Sequence, residues 1–126
     1  AYMKGYPANL ENGANLYIQK PLAWLPDATV YPLDRVIADI GSDYFQSSVA
    51  YMLALAIHEK ADEIALYGVD MGDDTPYGYQ RANAEYLIGL ARGRGINVSI
   101  PQESPVCRYH KEPSIEDYPT RYGWNK

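Results

Sequence analysis

Tyr44-Phe45-Gln46-Ser47-Ser48-Val49-Ala50-Tyr51-Met52-Leu53-Ala54-Leu55-Ala56-Ile57, followed by Asp62-Glu63-Ile64-Ala65-Leu66-Tyr67-Gly68-Val69-Asp70, is the stretch whose reading decides the fold. It reads as a helix feeding a strand. Ser47 or Ser48 suits the cap, because a hydroxyl oxygen accepts from the unpaired amides of a first helical turn. Val49, Met52, Leu53, Ala56 and Ile57 then recur at i, i+3, i+4, i+7 and i+8, one apolar face of a 3.6-residue period. Ile64 to Val69 shows no polar alternation, which predicts a parallel strand covered on both faces. It ends at Gly68-Val69-Asp70, where the chain must turn.

Outward from this centre, Asn15 to Gln19 and Thr29 to Tyr31 read as short strands. Between them, Lys20 to Asp27 is a connector bracketed by Pro21 and Pro26, which cannot donate to a ladder. Leu33 to Ile40 offers one or two helical turns, broken by Gly41-Ser42-Asp43. Beyond Asp70, Met71 to Arg81 is rich in turn formers. A second amphipathic helix runs from about Arg81 to Arg94, with Ala84, Leu87, Ile88 and Ala91 as its apolar face and Gly93 to Gly95 as its stop. Asn97 to Ile100 is the next strand. The order strand, helix, strand, helix, strand from residue 29 to 100 predicts an α/β fold of Rossmann-like class: a small parallel sheet of about four strands with flanking helices. We read residues 1–126 as a single domain with an irregular lead-in (1–14) and an aromatic, Pro-rich tail (102–126) that packs rather than waves.

Composition sets further bounds. The 126 residues carry a formal net charge of −5, which supplies no basic footprint for a nucleic-acid polymer. The longest apolar run is far shorter than the roughly 20 residues of a membrane span, and no secretory segment is evident. With one cysteine, Cys107, no internal disulfide forms, which fits a reducing compartment and gives the expectation of a cytoplasmic protein. The 13 tyrosines against one phenylalanine supply flat apolar bodies with polar tips, suited to half-buried margins or to flat ligands.

In an open parallel sheet a ligand sits beyond the carboxyl ends of the strands. Two segments are expected there: the approach to the first long helix, Tyr44 to Ser48, whose amides favour an anion, and the loop Gly68 to Arg81. Ser47, Ser48, Asp70, Tyr77, Tyr79, Gln80 and Arg81 are therefore the candidate ligand-binding residues, with hydroxyl and guanidinium donors for phosphate oxygens and tyrosine faces for a base or sugar. Each also has a plainer role: Ser47 and Ser48 as caps, Asp70 as a turn former. Asp70, Asp73 and Asp74 could gather magnesium, but the expectation is a solvated loop with no metal. His58 is expected at the surface, near a helix end; His110 could act as a base only if the tail returned over the crevice; Cys107 has no base partner in sequence. No dinucleotide, P-loop, nucleophile-elbow or paired CxxC motif is present, so no cofactor and no catalytic residue is assigned.

Ser47 to Ile57, then Glu63 to Met71, resembles the segment shared by a bacterial sialyltransferase family and the related 6-hydroxymethylpterin diphosphokinase-like proteins of Rossmann type. The longer string through Tyr79 to Ile96 looks like small phage-encoded members, and the resemblance covers roughly residues 29 to 104. It implies that Ser47 or Ser48 faces a nucleotide's phosphate or sugar, that Asp70 closes the strand beside it, and that Tyr77 or Tyr79 steadies a leaving phosphate. Two departures bear on activity. The family's Gly- and Asn-containing nucleotide loop has no counterpart in this sequence, and where the sialyltransferases place a histidine base this chain has Tyr79-Gln80-Arg81.

The expectation is thus a non-catalytic protein, phage-encoded and working in the host cytoplasm, that binds or sequesters a nucleotide or other phosphorylated small molecule. A nucleotide-sugar glycosyltransferase-like or diphosphotransferase enzyme and a phage structural or assembly protein are the alternatives. A thin sheet with open edges further predicts a homo-oligomer that uses the lead-in and the tail as contacts.

Overall fold

The computed structural model describes residues 15–69, 71 and 78–108. The chain divides into two compact units, residues 1–35 and residues 36–126. In the first, β1 (Tyr17–Ile18) and β2 (Thr29–Val30) pair in parallel, Tyr17 opposite Thr29 and Ile18 opposite Val30. The amides of Thr29 and Tyr31 donate to the carbonyls of Leu16 and Ile18, each at 2.8 Å. The Pro-bracketed connector makes the crossover through two turns, Leu25 N–H to Leu22 O and Ala28 N–H to Leu25 O, with Leu25 buried. The rings of Tyr17 and Tyr31 meet edge to face at 6.4 Å.

α1 (Leu33–Ile40) leads from the first unit into the second, which holds α2 (Ser48–His58), β3 (Glu63–Ala65), α3 (Gly78–Gly93) and β4 (Asn97–Ser99). β3 and β4 are parallel, Ile64 opposite Val98, and the pairing extends through Asn97 N–H to Asp62 O and Leu66 N–H to Ser99 O. Because β3 and β4 run in the same direction, the chain between them has to cross over, and α3 provides that crossover. α3 packs on both α2 and β4. Among the described residues the strands form two parallel pairs, β1–β2 and β3–β4. The mixed α/β class is as the sequence predicts.

Two details depart from the sequence reading. The buried positions of α2 are Ala50, Leu53, Ala54, Leu55 and Ile57, whereas Met52 is 69% exposed. A helix that is apolar all round does not declare its inner face, and the fully buried Ala50 and Ala54 are small enough to let a neighbouring helix come close. The second departure is the strand expected to be covered on both faces: Ile64 and Leu66 point inward, but Glu63, Ala65 and Tyr67 are exposed, Tyr67 by 83%. Burial alternates along both β3 and β4, one face inward with α3 packed on β4 and the other exposed.

The stops of α2 and α3 share one device. α3 ends with Gly95 at a φ of 85°, Ile96 N–H reaching back to Ala91 O at 3.0 Å and Gly95 N–H to Arg92 O at 3.0 Å. That is a Schellman motif, and Ile96 is buried as its apolar closing residue. α2 ends identically, Ala61 N–H to Ala56 O and Lys60 N–H to Ile57 O, except that the left-handed residue is Lys60, at a φ of 59°. No helix among the described residues is long and apolar enough to cross a membrane.

Candidate functional site

The segment between α1 and α2 is fixed from both sides. Ser42 Oγ accepts from the Tyr44 amide at 3.1 Å, and Ser47, extended at φ −160° and ψ 165°, caps α2 by accepting from Ala50 N–H at 3.2 Å. Of the two serines expected as cap, Ser47 takes the role, and Ser48 is the exposed first helical residue. Asn83, fully buried on α3, holds the middle of the segment: its Oδ1 accepts from Gln46 N–H at 2.6 Å and its Nδ2 donates to Tyr44 O at 2.7 Å. The Tyr44 and Tyr86 rings add a tilted contact at 6.0 Å. Ser47 and Ser48 thus follow directly on a segment pinned to α3 two residues beyond Arg81.

At the start of α3, Tyr79 is exposed and its hydroxyl accepts from Gln80 Nε2 at 3.2 Å. Arg81 Nε lies 3.9 Å from Glu85 Oε2, one helical turn on, and the same oxygen accepts from Cys107 N–H at 2.6 Å. Asp70 and Tyr77 lie outside the described residues, as do Asp73, Asp74 and His110. Among the described residues no group of three or more His, Cys, Asp or Glu side chains could hold a metal ion.

Residues 100–108 are tied to α3 through the Cys107 amide on Glu85 and to Val69 through Ser104. Ser104, buried, donates to Val69 O at 2.9 Å and accepts from Val106 N–H. The Arg108 guanidinium collects three carbonyls: Ile100 O at 2.7 Å, Ser104 O at 3.0 Å and Pro101 O. Residues 102–108 are the described part of the tail; residues 109–126, like the lead-in 1–14, lie outside the described residues. Partial burial, and secondarily the Glu85 charge, pushes the Cys107 thiol up, away from the thiolate a nucleophile requires.

A second polar cluster gathers where α1, α2 and α3 end. Asp39 Oδ2 lies 2.9 Å from His58 Nδ1, while Asp39 Oδ1 and its backbone carbonyl accept from Arg94 at 2.9 and 2.8 Å. The hydrogen bond with His58, then that with Arg94, holds the Asp39 carboxyl below its usual range. His58 is half-buried with a side-chain partner, where the sequence placed it at the surface.

Sequence reasoning named neither Asn83 nor this cluster. Asn83 does leave a trace, as a polar residue on the stripe formed with Ala84, Leu87, Ile88 and Ala91. Compared with known proteins, the chain matches no family model, no curated protein and no solved structure.

Proposed function

We propose that this chain is a small Rossmann-like protein that binds, without transforming, a nucleotide or other phosphorylated small molecule, the anion lying at the N-terminus of α2. The observation that supports this reading is the Asn83 clamp on Tyr44 and Gln46. It fixes the approach to a helix N-terminus, where backbone amides and the positive dipole end favour an anion, beside the helix that carries Tyr79, Gln80 and Arg81. Ser48 contributes an exposed hydroxyl in the first turn, and Tyr79 an exposed ring. Absence of catalysis is argued from Tyr79-Gln80-Arg81 standing where the resembled sialyltransferases carry a base. The finer fold, a sheet of about four strands, and the origin in a phage acting in the host cytoplasm belong to the same proposal.

A thermal-shift panel of nucleotides, cyclic dinucleotides and ADP-ribose derivatives tests it. A ligand at a hundred times its Kd raises stability by about 2.7 kcal/mol, several degrees for a domain of this size. A shift from at least one phosphorylated member, reduced by Ser48→Asp, which sets a carboxylate against the anion, is the expected result. No shift from any member overturns the reading.

A further inference from the structure

Residues 36–40 of α1 lie in the second unit, and of its helices α1 is the one least able to stand alone. It runs for 8 residues, below the roughly 12–15 that an isolated helix needs in water. Its buried residues are Val36 and Ile40, against five on each of α2 and α3. The sequence also works against its last turn, which holds Asp39 and no basic residue. A carboxylate there faces the negative end of the helix dipole, so Asp39 opposes α1 as a free helix.

Docking reverses that sign. His58, in the last turn of α2, and Arg94, just past the end of α3, bring an imidazole and a guanidinium to the carboxylate, each at 2.9 Å. Arg94 also donates to the Asp39 carbonyl at 2.8 Å, one of the last four carbonyls of α1. The three side chains are 27 to 36% exposed, so water and salt compete for these contacts. We propose that residues 36–41 form a clasp that opens as a unit while α2, α3 and the β3–β4 pair stay folded, and that Asp39 is the residue that closes it. Local openings draw on those parts of a fold that have few buried apolar residues and exposed polar contacts, and this helix has both. The clasp involves no ligand and stands apart from any binding at α2.

Native-state hydrogen exchange on the full chain, at several urea concentrations below the unfolding transition, is the test. The amides of Ile40, inside α1, and of Gly41, bonded to Ile37 O at 2.8 Å, report on the clasp, and those of Leu87 and Ile88 inside α3 report on the body. Ile40 and Gly41 are expected to exchange together, about tenfold or more faster than Leu87 and Ile88, and with a weaker urea dependence because a local opening exposes less surface. Asp39→Asn is expected to speed both clasp amides by a further three- to tenfold or about that, the worth of two partly exposed polar contacts. Exchange of Ile40 with the rate and urea slope of Leu87 and Ile88 overturns the proposal, whether or not Gly41 frays ahead of it. So does an Asp39→Asn protein whose clasp amides keep the wild-type rates, since Val36 and Ile40 alone would then hold α1. Should Asp39→Asn fail to fold, the wild type is compared in about 0.05 M and about 1 M salt. Faster exchange at Ile40 and Gly41 relative to Leu87 and Ile88 is then expected at high salt, and an unchanged ratio overturns the proposal.

Discussion

Asn83 Oδ1 lies 2.6 Å from the main-chain nitrogen of Gln46, a hydrogen bond that spans 37 positions of sequence and ties the approach of α2 to the middle of α3. With its amide nitrogen donating to Tyr44 O, this one side chain satisfies an N–H and a carbonyl that no helix or strand engages. Replacement by Leu fills the space but strands both backbone groups. Asn83→Leu is expected to destabilise by about 2–4 kcal/mol, since each unsatisfied buried group costs about 1–3 kcal/mol. Urea denaturation checks it; a loss under 1 kcal/mol would mean that water replaces the amide.

Lys60 and Gly95 occupy the same left-handed position at the ends of α2 and α3, with φ of 59° and 85°. A Cβ in that region crowds the following carbonyl, a strain of roughly 1–2 kcal/mol that glycine escapes, set against the larger freedom glycine has when unfolded. Lys60→Gly is therefore expected to stabilise by up to about 1 kcal/mol, and Gly95→Ala to destabilise by about 1 kcal/mol. Nothing lies within 4 Å of a Cβ built at Gly95, so only backbone strain enters the second comparison. Paired melting curves decide it: opposite signs at the two positions are the required outcome.

What the sequence declares and what it hides differ by element. The inner face of α3 is legible because Ala84, Leu87, Ile88 and Ala91 are set among Arg81, Glu85 and Arg92, and all four are buried. α2 offers no such contrast: its residues are apolar on every side, and the choice of Ala50 and Ala54 over Met52 is made by packing between helices. Ser47 is legible as a cap because capping chemistry is local. The Asn83 clamp and the Asp39 cluster are not, because their partners lie 19 to 55 positions away. Of the candidate site, Ser47, Ser48, Tyr79, Gln80 and Arg81 fall on two segments that Asn83 ties together, while Asp70 and Tyr77 lie outside the described residues.

Arg108 takes the part of a bound cation for the turn at residues 100–108, its planar fork donating to the carbonyls of Ile100, Pro101 and Ser104. An ammonium is a point donor on a flexible stem and does not reproduce that fork. Arg108→Lys is expected to lose about 1–2 kcal/mol and Arg108→Ala about 2–3 kcal/mol, from the usual worth of hydrogen bonds to a charged donor. Because Ser104 in the same turn donates to Val69 O, the loss should appear as faster amide exchange at Val106, whose N–H is held by Ser104 Oγ. Unchanged exchange at Val106 in Arg108→Ala would show that the turn stands without its guanidinium.

Asp39 joins the ends of three helices through His58 and Arg94, and the charged carboxylate is the form both partners favour. Its depressed pKa fixes the sign of the pH dependence. The contribution to stability is fully present above the unfolded carboxyl value, about 3.9, and is lost as pH falls through the lower folded value. Asp39→Asn should therefore lower stability at pH 7 and bring the mutant and wild-type curves together as the pH is taken down towards 2. The site is half-exposed, so the difference at pH 7 should shrink on adding about 1 M salt, where the screening length falls to about 3 Å. Urea midpoints measured from pH 2 to 7 test it, and a difference between the two proteins that stays constant across that range would remove Asp39 from the acid limb of the stability curve.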